Sequence, residues 1–273
     1  GEFCGTEVPY KIYFAAEFDR PANKVGTWNG RTLSDQLVSK GKNSGAFFTF
    51  DTSDENEVNY RIAISFVSIE NAKKNLAAEN LNLNFQEYMN NTKSVWDEHL
   101  NKIQIKTPNK DRRVQFYTHL YHSLVHPNIV SDVNGEYMGA DFKKHKTTDK
   151  RDHYSSFSVW DTYRTQGQLV AMLFPKQSSD MMQSLVNFAE QAGGYGRWIL
   201  ANFETGIMQG DPTPILIANS YAFGGKDFDH EKAYKYMYRG AMIPRLNSQK
   251  QEIRPYLTEY INNGHTFASM MLE

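Results

Sequence analysis

The stretch VNYRIAISFVSIENAKKNL, residues 58–76, decides how the chain folds. Val58, Tyr60, Ile62, Ile64 and Phe66 fall on one side of an extended chain, and Asn59, Arg61, Ala63 and Ser65 on the other. That period of two is the pattern of a half-buried strand. Beyond Phe66 the period lengthens, and from Ile69 to about Leu100 it is helical. A break is predicted around NLNLN at 80–84, with a fresh start at Asn84, an N-cap ahead of Phe85, Tyr88 and Trp96. The chain therefore changes from sheet to helix at one place, and its fold class is α+β with more than one domain.

Upstream, Tyr10, Ile12, Phe14, Ala16 and Phe18 repeat the alternation, and AFFTF at 46–50 fits a third strand. Glycine and asparagine read as connections at 26–30 and 41–45. Three strands make a small antiparallel sheet whose apolar face needs a second layer, and no further strand is predicted downstream. Everything beyond Pro108 is punctuated as helices. Val114, Tyr117, Tyr121 and Leu124 line one that stops at His126-Pro127; Met181, Leu185 and Phe188 line another; Asp211-Pro212 offers a cap; Asp229 starts one more. The organisation expected is a sheet domain over 1–68, a helical linker over 69–108 and a helical domain over 109–273.

The chain has 273 residues, 40% of them hydrophobic and 14% aromatic, enough for one large core or two smaller ones. A net charge of -1 gives no overall field that would draw it to nucleic acid or an anionic membrane. The KKHK run at 143–146 is too short to alter this and reads as a solvated loop. Cys4 is the single cysteine and has no internal partner. No apolar run reaches the roughly 20 residues of a membrane span, and GEFCGTEVPY has no basic segment followed by an apolar one. One sequon, Asn90-Asn91-Thr92, is present.

Two segments carry chemistry. In FSVWDTYRTQGQLVAMLFP, 157–175, read as one helix, Trp160, Tyr163, Gly167, Val170 and Phe174 form a buried stripe beside Asp161, Arg164 and Gln168. Asp161 and Arg164 can pair on the helix surface; alternatively, an indole beside a carboxylate and a guanidinium can hold a sugar by stacking and by bidentate contacts to hydroxyls. In GGYGRWILANFETGIMQGDPTP, 193–214, glycines bracket Trp198 and Glu204. Glu204 is either a pocket carboxylate or one satisfied by backbone amides, and Asp211 reads as a helix cap. His119, His122 and His126 have one-face spacing, but no HExxH or third ligand follows, so packing among tyrosines is the simpler reading. Neither GxxxxGK[ST] nor GxSxG is present.

Together, QFYTHLYHSLVHPNIVSDVNGEYMG at 115–139, FSVWDTYR at 157–164 and GRWILANFETGIMQGD at 196–211, supported by KIYFAAEF at 11–18 and ISFVSIENAKKNL at 64–76, resemble glycoside hydrolase family 92, the calcium-dependent exo-acting α-mannosidases. The resemblance implies the end of an N-terminal antiparallel β-sandwich, a helical linker and part of an (α/α)6 helical barrel. It implies inverting hydrolysis of terminal α-linked mannose, α-1,2 expected, on a glycan, with Ca2+ as cofactor and secretion or the periplasm as location. Trp160, Asp161, Arg164 and Glu204 are the substrate-binding residues it implies. The family's general acid and base are expected beyond Glu273, so the chain is expected to be a central fragment; the metal ligands are not assigned. Two positions depart from the pattern: Phe203 stands where the family has asparagine before the Glu-Thr pair, and Asp211 where it has histidine. A non-catalytic carbohydrate-binding module and another helical-barrel glycosidase remain as other readings.

Overall fold

A computed structural model describes residues 2–3, 6–7, 9–79, 83–148, 150–208 and 210–266; Cys4 and the closing FASMMLE lie outside these. Strands β1 (Glu2–Phe3) and β2 (Thr6–Glu7) pair at the start. Then come β3 (Tyr13–Phe18), β4 (Lys24–Asn29), β5 (Thr32–Ser34), β6 (Ser44–Thr49) and β7 (Tyr60–Ser65). The three expected strands do not share one sheet. β3 pairs antiparallel with β7, Phe14 opposite Ile64, whereas β6 pairs with β4 in a second sheet ordered β5-β4-β6. The sheets meet at Phe18, whose ring lies 4.8 Å from Phe48 and 5.1 Å from Phe50.

β4 occupies the segment expected to be a connection. Gly26 pairs with Phe47, and a Cβ on it would fall 2.4 Å from that ring. The glycine therefore admits a cross-strand aromatic; it does not mark a turn.

α1 (Ile69–Glu79) and α2 (Phe85–Leu100) begin and end about where the period predicts. Asn84 accepts the Glu87 amide at 3.0 Å while the Glu87 carboxylate accepts the Asn84 amide at 2.7 Å, a reciprocal cap that fixes the start of α2. The face that α1 covers is the opposite of the one the alternation suggests. It lies on the Arg61, Ala63 and Ser65 side, where small residues let a helix approach and Asn75 Nδ2 donates to the Ile64 carbonyl at 2.8 Å. Phe14, Ile62 and Ile64, on the apolar side, are 64%, 53% and 51% exposed.

The second half contains α3 (Lys110–Ser123), β8 (Asn128–Ile129), β9 (Glu136–Met138), β10 (Lys144–Lys146), β11 (Tyr154–Ser155), β12 (Phe157–Ser158), α4 (Val159–Thr162), α5 (Gln166–Leu173) and α6 (Pro175–Ala192). It continues through β13 (Trp198–Leu200), β14 (Phe203–Glu204), α7 (Thr213–Phe223), α8 (His230–Met242) and α9 (Leu257–Asn263). The expectation of helices alone is corrected by the short strands β8 to β14. They are two or three residues long, too short to show a period of two. The KKHK run is one of them: β10 pairs with β9, and Lys144 meets Glu136 at 3.0 Å. On α3 the buried residue is Leu120, while Val114 and Tyr121 of the expected inner face are exposed.

The core forms around α6. Met182, Leu185, Val186, Phe188 and Ala189 recur at three-and-four spacing and pack with Phe157, Val159, Ile199, Leu216 and Ile217. Among the described residues no helix is long and apolar enough to cross a membrane.

Sheet and helices are joined by a buried carboxylate. Asp132, on the loop after β8, takes Ser65 Oγ at 2.8 Å from β7, and from α1 it takes Asn71 Nδ2 and Asn75 Nδ2, each at 2.7 Å. Asn75 Oδ1 returns a bond to the Val133 amide at 3.0 Å. Nearby, Asn71 and then Lys144 hold the Glu136 carboxyl down to about 2.

Replacing Asp132 by alanine strands three buried donors, so Asp132→Ala is expected to lower the unfolding free energy by about 3 kcal/mol or more in urea titration. Because the Glu136 pKa is depressed on folding, its contribution is complete above about 4.5 and is lost as pH falls towards 2. Glu136→Gln should flatten the acid limb of a stability–pH curve over that window.

Candidate functional site

The segment 157–175 is not one helix. β12 runs into the single turn α4, the chain leaves helical geometry at Thr165 (φ −146°, ψ −27°), and α5 restarts at Gln166. At Gly167 a Cβ would lie 2.3 Å from Leu216 Cδ1, so α5 is pressed onto α7 at this point. Pro175 opens α6 instead of closing a long helix.

Breaking the helix changes which residues are inside. Val170 and Phe174 are buried as the stripe predicts, but Trp160 is 38% exposed, with Asp161 and Arg164 exposed beside it. The Asp161–Arg164 pair does not form, because α4 ends at Thr162 and the helical offset is not maintained. Asp161 Oδ2 instead accepts the Ser158 hydroxyl, and the Arg164 guanidinium lies 5.9 Å from the Trp160 ring centre and 5.1 Å from that of Tyr163. Gln168 Nε2 donates to the Arg164 carbonyl at 3.1 Å. An indole, a carboxylate and a guanidinium thus share one solvent-facing turn.

The second motif is hydrogen-bonded to the first. β12, β13 and β14 form one antiparallel sheet in that order, with Phe157 opposite Ile199, Ser158 opposite Trp198, and Ile199 opposite Glu204. The Val159 amide donates to the Arg197 carbonyl at 3.2 Å, extending the ladder into α4. Residues about 40 apart in sequence therefore lie on adjacent strands, about 4.8 Å apart.

Glu204 sits at the far edge of this sheet and is buried. Its Oε2 accepts the Arg197 amide at 2.7 Å and the Trp198 amide at 3.2 Å, and its Oε1 accepts the Gly206 amide at 2.9 Å. Burial nevertheless pushes the carboxyl above its ordinary value, against the pull of those amides and Arg197. Gly196 is required here, since a Cβ would stand 2.4 Å from Glu204 Oε2. Of the two sequence readings, the carboxylate satisfied by amides is the one observed.

Asp211 is not the cap expected. α7 starts at Thr213 with Pro212 before it and no side-chain cap, while burial raises the Asp211 carboxyl and Arg254 and Arg197 pull it down. Arg197 is itself buried and spans the loop, donating from Nε to the Ile207 carbonyl at 3.3 Å and from Nη2 to the Gly206 carbonyl at 3.2 Å. His119 and His122 share α3, and His126 lies beyond its end. Among the described residues no three His, Cys, Asp or Glu side chains converge as metal ligands. The carboxylate cluster of a calcium cage is therefore not found among the described residues. Sequence reasoning gave Arg197 no role although it stands in the second motif, and it missed Gln249 and Gln251, which carry no periodic or motif signal.

The glycosyl hydrolase family 92 catalytic domain matches residues 71–271 and the family's N-terminal domain matches residues 1–65. The chain belongs to glycosyl hydrolase family 92.

Its fold is similar to that of a family GH92 inverting mannosidase from Bacteroides thetaiotaomicron VPI-5482, at 24% identity and a TM-score of 0.87, covering 96% of this chain and 36% of that one. A GH92 α-mannosidase from Bacteroides thetaiotaomicron, in complex with mannoimidazole, matches at 25% identity and a TM-score of 0.78, covering 92% and 33%. The chain thus spans about a third of the length of these structures. No curated protein matches its sequence.

Removing the Glu204 carboxylate leaves three amides unpaired next to the core. Glu204→Ala is expected to lower stability by about 3 kcal/mol, measured by urea titration with tryptophan fluorescence.

Proposed function

We propose that this chain contributes the mannose-holding wall of an inverting, exo-acting α-mannosidase that removes terminal α-1,2-linked mannose from glycans. One observation carries this: in a family 92 chain, the exposed Trp160 and its neighbours Asp161 and Arg164 are set against the family's glycine-rich second motif by a shared sheet. A pyranose ring can stack its apolar face on the indole while the carboxylate accepts from adjacent hydroxyls and the guanidinium donates to them. The inverting mannosidase and the mannoimidazole complex among the similar structures support the choice of sugar.

Glu204 belongs to the same site from behind, because its oxygens are occupied by amides and its work is to shape the loop that backs the wall. Inverting hydrolysis needs an acid and a base roughly 6.5–9.5 Å apart, with water between them and the sugar. We give Asp161 neither role: it binds hydroxyls, and the proton transfers fall to other carboxylates of the enzyme. Calcium dependence is a property we propose for the whole enzyme, and the helices from α3 onward, over 109–273, are proposed as part of its helical barrel.

Titration of the chain with mannoimidazole in a calorimeter should show saturable binding. Trp160→Ala and Asp161→Ala should each weaken it about tenfold or more, the scale of a lost stacking surface or charged hydrogen bond. Both residues are exposed, so the melting temperature should stay within a few degrees of the parent. Unchanged affinity in both variants would remove the wall from the sugar site.

A further inference from the structure

We propose that Gln249 and Gln251 are positioning residues for the sugar wall, acting as a substitute fourth strand at the open edge of the β12-β13-β14 sheet; this rests on the reading of Trp160 and Asp161 given above. β14 is the edge strand, and the ladder bond nearest Glu204 is made by its neighbour, the Thr205 amide donating to the Trp198 carbonyl at 3.0 Å. The backbone groups of Glu204 turn away from β13, and an edge of this kind needs partners.

Two glutamines supply them. The Glu204 amide donates to Gln249 Oε1 at 3.0 Å, and Gln251 Nε2 donates to the Glu204 carbonyl at 3.1 Å. One acceptor and one donor, two residues apart, reproduce what a paired strand would offer. Gln249 Nε2 is buried without a partner among the described residues, so the bond to Glu204 is the use its carboxamide is put to.

The turn that carries these side chains is built to hold them. Asn247 Oδ1 accepts the amides of Gln249 and Gln251, each at 2.9 Å, and Asn247 Nδ2 donates to Gln251 Oε1 at 3.1 Å, which fixes the direction of the Gln251 amide. Leu246 and Glu252 close the turn with a β-bridge. The Ser248 amide reaches the Ala192 carbonyl at 2.7 Å, Arg245 bonds the Gly193 carbonyl, and Ile253 packs where a Cβ on Gly194 would stand. The hairpin is therefore anchored at the start of the glycine-rich loop and again at Glu204.

From Glu204 the constraint passes through the Arg197 and Trp198 amides to β13, across the ladder to Ser158, and by the Ser158 hydroxyl to Asp161. The distance spanned is two strand spacings, about 10 Å.

The test uses the full chain with Gln249→Met and Gln251→Met, singly and together, and Lys250→Ala at the exposed tip of the turn as control. Amide hydrogen exchange over 157–164, followed by mass spectrometry without ligand, should be faster in the double variant and unchanged in the control. Mannoimidazole affinity should fall roughly threefold to tenfold in the double variant, the scale of one lost hydrogen bond, with far-ultraviolet circular dichroism retained. Gln249→Glu, which keeps the acceptor, should hold affinity nearer the parent than Gln249→Met.

Unchanged exchange over 157–164 in a folded double variant overturns the proposal, whatever the sugar does. Faster exchange with unchanged affinity also overturns it, since the turn would then brace the fold without setting the site. Should Trp160→Ala and Asp161→Ala both leave mannoimidazole binding intact, the sugar-wall reading fails separately.

Discussion

Glu204, a buried carboxylate surrounded by backbone amides, is the interaction on which the site depends. It takes the amides of Arg197, Trp198 and Gly206, and so closes the glycine-rich loop on itself. Removing a charge from water is costly, and three amide donors offset part of that cost only in one loop geometry. The loop then presents β13 to β12, and β12 delivers the chain into α4 with Trp160 and Asp161 outward. Gly196 makes the clasp possible by leaving room for the carboxylate oxygen.

Asp132 repeats the device at the junction of sheet and helices, with side-chain donors in place of amides. Its partners come from β7 and from two successive turns of α1, so one loop residue fixes the sheet, the linker helix and the β8–β9 segment against one another. Both acids are polar groups whose satisfaction demands a unique arrangement, which apolar packing around α6 alone does not supply. Arg151 plays a related part outside the site, joining the buried Asp180 of α6 to Asp227 near the start of α8.

Much of the fold was legible in local pattern. The change from period two to helical period marks β7 and α1, and Asn84 and Asp229 cap the helices that follow them. What was hidden depends on tertiary contact. β4 was masked by Gly26, whose lack of a side chain answers Phe47 across the sheet. The division of the single helix expected over 157–175 was hidden because two-residue strands leave no periodic trace. The aromatic turn was found from residue types alone, but its exposure followed from that division. Gln249 and Gln251 stand in a segment with no period, so their role emerged only from the bonds they make.

Membership of family 92 and the geometry of the turn converge on one claim, that the Trp160 indole meets a mannose ring. The most direct measurement is a nitrogen–proton correlation spectrum of the chain titrated with mannose. The account predicts a saturable shift of the Trp160 indole and Arg164 side-chain resonances, with the indoles of Trp28 in the sheet and Trp96 in the linker unmoved. A titration in which Trp160 and Arg164 stay still while the protein remains folded would contradict it.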